Sequence, residues 1–193
     1  MSASPILAAA LAIAIAAAAV VVAFNRLVRH RNLVREAWSG VDVQLARRHD
    51  LVPRLAEVVR GHAEFERGVL ENVTRLRSEA PEVATSRRAP LASRELQDGE
   101  NALAAQVRGL LAVVEAYPEL RAGESFLDLQ ARLAEVENQL QMARRYYNGT
   151  VRDYNTAVES FPSNLVARTL GFALEPFFQV ESAVERATPE VRL

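Results

Sequence analysis

The chain has 193 residues, 23 basic and 24 acidic, a formal net charge of −1, and neither cysteine nor lysine. Near neutrality argues against a nucleic-acid binder, which needs a basic face. The missing cysteines exclude disulfides, thiol nucleophiles and thiolate metal sites, and the missing lysines exclude a Schiff-base or P-loop lysine.

The first element is the run PILAAALAIAIAAAAVVVAF, Pro5 to Phe24, twenty apolar residues without a charge. As a helix it reaches ~30 Å, the thickness of a bilayer's hydrocarbon core. A removable signal peptide opens on positive charge and has a shorter apolar run. The leader MSASP carries no Arg or Lys, so the reading is a retained anchor, with cleavage at one of the Ala-x-Ala sites as the alternative. Arg26, Arg29, Arg31 and Arg35 follow the run. The positive-inside tendency then predicts the N-terminus outside and the remainder in the cytoplasm, at the inner membrane. The same arginines suit anionic headgroups.

Leu27, Val34, Trp38, Val41 and Leu45 recur at helical spacing, with no breaker between them and the anchor except Gly40. Arg47 and Arg48 suit a helix C-terminus, Asp50 an N-cap, and Pro53 a first turn. These signals predict a helix ending near His49 and a second over 51–79, joined in a tight antiparallel hairpin. The second stripe is Leu51, Leu55, Val58, His62, Phe65, Val69, Val73 and Leu76. Residues 80–93, with two prolines, read as a long, protease-sensitive loop.

A third helix is expected over 94–117, ended by Pro118 and Gly123. The fourth starts near Ser125 and runs to Phe161, where Pro162 stops it. Its seam runs Phe126, Leu129, Leu133, Val136, Leu140, Ala143, Tyr147, Val151, Tyr154, Val158 and Phe161, heptad-like with one stutter near Tyr147. The apolar tail NLVARTLGFALEPFFQV is expected to pack back on the helices, or else to lie on the membrane surface or a partner. The expected fold is all-α: a transmembrane helix followed by an antiparallel, up-down four-helix bundle. Its divisions are 1–24 (tail and anchor), 25–165 (bundle) and 166–193 (apolar tail).

Chemistry in such bundles usually sits in a di-metal carboxylate site, which needs Glu-x-x-His. Leu27, Ala46 and Val59 stand three residues before His30, His49 and His62, so that motif is absent. A zinc site of the three histidines would have to gather them from distant levels, and His62 reads as a core or boundary residue. Acidic residues such as Glu135 and Glu137 read as solvated outer faces beside arginines. No cofactor, metal or small-molecule substrate is expected. The odd feature is polar: Tyr147-Asn148 and Tyr154-Asn155 repeat seven apart, after Asn138, Arg144 and Arg145. Asn is a poor helix-interior residue, so this points to a buried polar network fixing register, or to a polar groove for a partner.

The segments NRLVRHRNLVREAW (25–38), VDVQLARRHDLVP (41–53), LLAVVEAYPELRA (110–122), ENQLQMARRYYNGTVRDYN (137–155) and FPSNLVA (161–167) resemble the LemA family of bacterial membrane proteins, in order and over nearly the whole chain after the anchor. The resemblance implies a single anchor, an antiparallel helical bundle and no established enzymatic activity. A LemA-like member in magnetosome-forming bacteria is linked to membrane invagination. Departures from the family pattern fall at His62 and Phe65, where the family usually has Tyr and His, and at Arg54, often Asn. These put any common ligand of that patch in doubt here. The leading expectation is a non-catalytic, membrane-tethered scaffold that recruits or organises protein partners. The alternatives are a self-assembling, membrane-shaping protein and an enzyme using Arg144, Tyr147 and Asn148.

Overall fold

Alanine-rich sequence without glycine before Gly40 is strong helix former, and the N-terminal half uses it without interruption. In the computed structural model, which describes residues 3–63, 92–115 and 117–179, helix α1 runs from Ala3–Ala63 as one element. The expected break at His49–Asp50 is not there. Asp50 is mid-helix rather than an N-cap, Arg47 and Arg48 do not end a helix, and Pro53 lies inside it. Pro53 removes one backbone hydrogen bond, an interior penalty of about 3 kcal/mol. What offsets it is phase. Val41, Leu45, Val52, Leu55 and Val59 are all buried, stepping by threes and fours through Arg48, so an unbroken helix buries the whole stripe and a hairpin would scatter it. The buried face is rotated from the expected one: Leu51 and Val58 are only partly buried.

The remaining helices start and stop close to their signals. Helix α2 spans Arg94–Glu115, α3 Pro118–Arg121, α4 Glu124–Glu159 and α5 Ser163–Leu170. Ser93 caps α2, its Oγ accepting from the Leu96 N–H at 3.3 Å. Helix α5 was not foreseen. It closes on Gly171, whose φ of 71° favours a residue without Cβ, and the Phe172 N–H returns to the Ala167 carbonyl at 2.9 Å. No strand occurs among the described residues. Residues 64–79 of the expected second helix, 80–91 of the expected loop and the end of the tail at 180–193 lie outside the described residues.

The chain forms two compact units: Met1–Ser39 with Tyr146–Phe177, and Gly40–Arg145 with Phe178–Leu193. In the second unit, Val52, Leu55 and Val59 of α1 form one core with Leu103, Val107, Leu110 and Val114 of α2 and with Phe126 and Leu133 of α4. Full burial of each such side chain contributes about 1.5–3 kcal/mol. In the first unit the buried set is Ala23, Leu27, Val34 and Ala37 of α1, Tyr147, Val151, Tyr154 and Ala157 of α4, Ser163, Val166 and Ala167 of α5, and Phe172. The start of α1 is different. Leu7, Leu11, Ile13, Ile15 and Val20 to Val22 are all exposed, and this is the described helix long and apolar enough to cross a membrane by length and composition.

Candidate functional site

Two groups of polar side chains are built into these cores, one in each unit. In the first, α4 presents Tyr147, Tyr154 and Asn155 to the segment after α5. The Tyr147 hydroxyl donates to the Pro176 carbonyl at 2.9 Å and the Tyr154 hydroxyl to the Ala173 carbonyl at 2.8 Å. Asn155 closes a pair with one residue: its Nδ2 donates to the Glu175 carbonyl and its Oδ1 accepts the Glu175 N–H, both at 2.9 Å. The tail has no helix or sheet partner here, so these side chains satisfy its backbone instead. Trp38 stands edge-on to the Tyr147 ring, centroids 5.1 Å apart. Burial raises the Tyr147 phenol well above its usual range, and the Glu175 charge adds to that. Tyr154 is raised mainly by burial and also by Glu175, with Arg31 and Arg35 pulling it back.

Of the other residues singled out by sequence, Asn138 and Arg145 are exposed and outside this clasp, while Arg144 and Asn148 are partly buried. Among the juxtamembrane arginines, Arg26, Arg29 and Arg35 are exposed. Arg31 is partly buried, its guanidinium 4.9 Å from the centre of the Phe172 ring.

The second group was not foreseen. Arg48 of α1 is buried between two carboxylates: its Nη1 donates to Glu100 Oε2 of α2 at 3.2 Å, and its Nε lies 2.9 Å from Glu137 Oε1 of α4. The second contact is an ion pair without hydrogen-bond geometry, and Arg48 Nη2, Arg48 Nε and Glu137 Oε1 have no hydrogen-bond partner. His49 Nε2 lies 2.7 Å from the other oxygen of Glu100. Glu137 is thus buried, not on a solvated face; Glu135, two residues away, is exposed. Burial pushes the Glu137 carboxyl above the ordinary range and Glu100 adds to the rise, while Arg48 and Arg144 oppose it. A signal was available: Arg48 interrupts the stripe between Leu45 and Val52, and Glu100 and Glu137 stand one turn from Leu103 and Leu133.

No group of three His, Asp or Glu side chains that could hold a metal ion occurs among the described residues, and the His62 side chain lies outside them. The polar groups join helix to helix or helix to tail, and the class this defines is an all-helical protein with an N-terminal helix of membrane-crossing length. A family model described as the LemA family matches residues 37–193, and the chain belongs to that family. It is 26% identical over 172 residues to Protein LemA of Metamycoplasma hominis, covering 87% of this chain and 75% of that protein. It is 24% identical over 179 residues to Magnetosome protein MamQ 2 of Paramagnetospirillum magneticum, with 83% of this chain and 66% of the relative covered. Against Magnetosome protein MamQ of Magnetospirillum gryphiswaldense it is 22% identical over 176 residues, with 79% and 64% covered. The chain thus spans about two thirds of the MamQ proteins.

Proposed function

We propose that this protein is a membrane-tethered helical scaffold of the LemA type, which recruits or organises protein partners at the inner membrane without catalysing a reaction. The observation that carries the reading is the contrast along α1. From Leu7 to Phe24 it exposes its large apolar side chains, whereas from Leu27 onward the same helix buries a continuous stripe. An apolar helix end that the rest of this chain leaves uncovered suits a bilayer, in which a helix satisfies its own backbone. The rest of the chain then forms an antiparallel helical body, held on the cytoplasmic side with the N-terminus outside, in keeping with the arginines after the anchor. The Tyr147 hydroxyl, which an enzyme using Arg144, Tyr147 and Asn148 would turn toward substrate, is engaged with the tail's own backbone, as are Tyr154 and Asn155, which supports a structural role for them.

Crosslinking in native membranes followed by co-purification tests the scaffold. Reproducible neighbours are expected, and a lone monomer would overturn it. The absence of cysteine makes topology simple to read. A Leu127→Cys variant is expected to react with a membrane-impermeant thiol reagent only in broken cells; labelling in intact cells reverses the orientation. A second reading is a protein that assembles with itself to shape the bilayer; the likeness to proteins of the magnetosome is its motive. Ordered arrays or curvature in liposomes would favour it over the first.

A further inference from the structure

In the first unit the tail meets the anchor. Phe24 is the last residue of the apolar run, and its ring stands edge-on to Phe172 with centroids 5.9 Å apart. The Arg31 guanidinium covers the same ring at 4.9 Å. Phe172 is therefore held at the level where α1 leaves its apolar stretch, and its neighbours in the chain cannot be far from that level. Those neighbours are apolar and unburied. Helix α5 turns Ser163, Val166 and Ala167 inward. Leu165, Leu170 and Leu174 remain more than half exposed, and Phe161, before the helix, is 80% exposed. Exposed cations stand on the same two elements: Arg168 on α5, and Arg26 and Arg29 on α1 just past the anchor.

We propose that α5 and the turn after it, residues 163–174, form a second membrane contact, lying in the headgroup–acyl boundary beside the anchor. The proposal rests on the anchor reading above. Helix α5 is only ~12 Å long, so with Phe172 at the bilayer edge the whole element stays within reach of the headgroup layer. Leucine and phenylalanine enter the acyl boundary while the arginines keep their heads among anionic phosphates, the pattern of an interfacial helix. Continuity selects lipid as the occupant. If Phe24 marks the end of the span, lipid already surrounds that level of α1.

The test uses the full chain in vesicles of phosphatidylcholine and phosphatidylglycerol, with single spin labels at Leu11→Cys, Leu165→Cys, Leu174→Cys and Tyr146→Cys. Tyr146 is exposed and follows α4 to the level of Trp38, ~21 Å along α1 from Phe24, so it reports water. Collisions with oxygen and with a water-soluble nickel chelate give depth. The expected result is a deep label at 11, a wet label at 146, and labels at 165 and 174 several-fold less accessible to nickel than 146 but open to oxygen. Labels at 165 and 174 as wet as 146, with 11 deep, would overturn this inference and leave the anchor intact. Shielding of 165 and 174 from both reagents would mean that protein covers them, which also overturns it. A wet label at 11 would remove the anchor and this contact together.

Discussion

The tail clasp and the Arg48 cluster solve the same problem with opposite chemistry. Both tie segments far apart in the chain through groups that a core would normally exclude. The clasp uses neutral hydroxyls and an amide, and each of its bonds goes to a backbone group with no other helix or sheet partner. The cluster uses one cation between two carboxylates, and leaves three buried polar atoms without a hydrogen bond. A satisfied neutral network adds stability in small increments. A half-satisfied ionic one adds little over apolar packing, yet is very sensitive to losing a member.

That difference predicts an ordering of mutational effects, read as denaturant or thermal unfolding of the full chain in detergent. Arg48→Met is expected to be the worst, losing about 3–5 kcal/mol, because Glu100 and Glu137 stay buried with no cation between them. Replacing all three together, Arg48→Met with Glu100→Leu and Glu137→Leu, should recover most or all of the loss. If the triple variant is as unstable as the single one, the cluster stabilises by its own attraction and the comparison breaks.

Asn155→Ala comes next, at about 2 kcal/mol, since two backbone groups of Glu175 lose their partner. Hydrogen exchange at 173–177 should accelerate with it. Tyr154→Phe removes one bond and should cost about 1 kcal/mol. An Asn155 variant with an unchanged tail would show that apolar packing, not the clasp, holds this segment.

Acid and base should then separate the two regions. The Glu137 carboxyl is raised in the fold, so the folded state binds more protons than the unfolded one above the usual Glu range. Its contribution is fully present at low pH and is lost as pH rises through the raised value, and Glu137→Gln should flatten that slope. The Tyr147 and Tyr154 phenols are raised too, so the clasp should weaken only in alkali, above the ordinary tyrosine pKa of about 10; Tyr147→Phe should reduce that sensitivity and Tyr147→Phe with Tyr154→Phe should remove it. The smallest effect is the control: Arg132→Ala breaks an exposed i,i+4 pair with Asp128 and should change stability by about 0.3–0.5 kcal/mol.

The boundaries of α2 and α4 were legible because each carries its own punctuation: Ser93 before one, Pro118 and Gly123 between them, Pro162 after the other. The same kind of signal misled at Asp50 and Pro53. Capping is worth about 1 kcal/mol, and burying the stripe from Val41 to Val59 as one helix is worth several times that. Of the seven-residue Tyr-Asn repeat, Tyr147, Tyr154 and Asn155 bond the tail's backbone, but Asn138 and Arg145 were grouped with it by proximity in sequence, and both face solvent. Glu137 was read as solvated because an acidic residue beside arginines usually is.

Taken alone, the order of residues determined the all-helical class, the apolar end of α1, most helix limits and the family. Those depend on local periodicity, propensity and length, which neighbouring residues carry between them. Tertiary structure alone decided that α1 continues through Pro53, that the tail is held by side chains of α4, and that one arginine is sealed between two glutamates. Each of these sets a local preference against burial shared with residues far along the chain, and that balance exists only once the distant partner is in place.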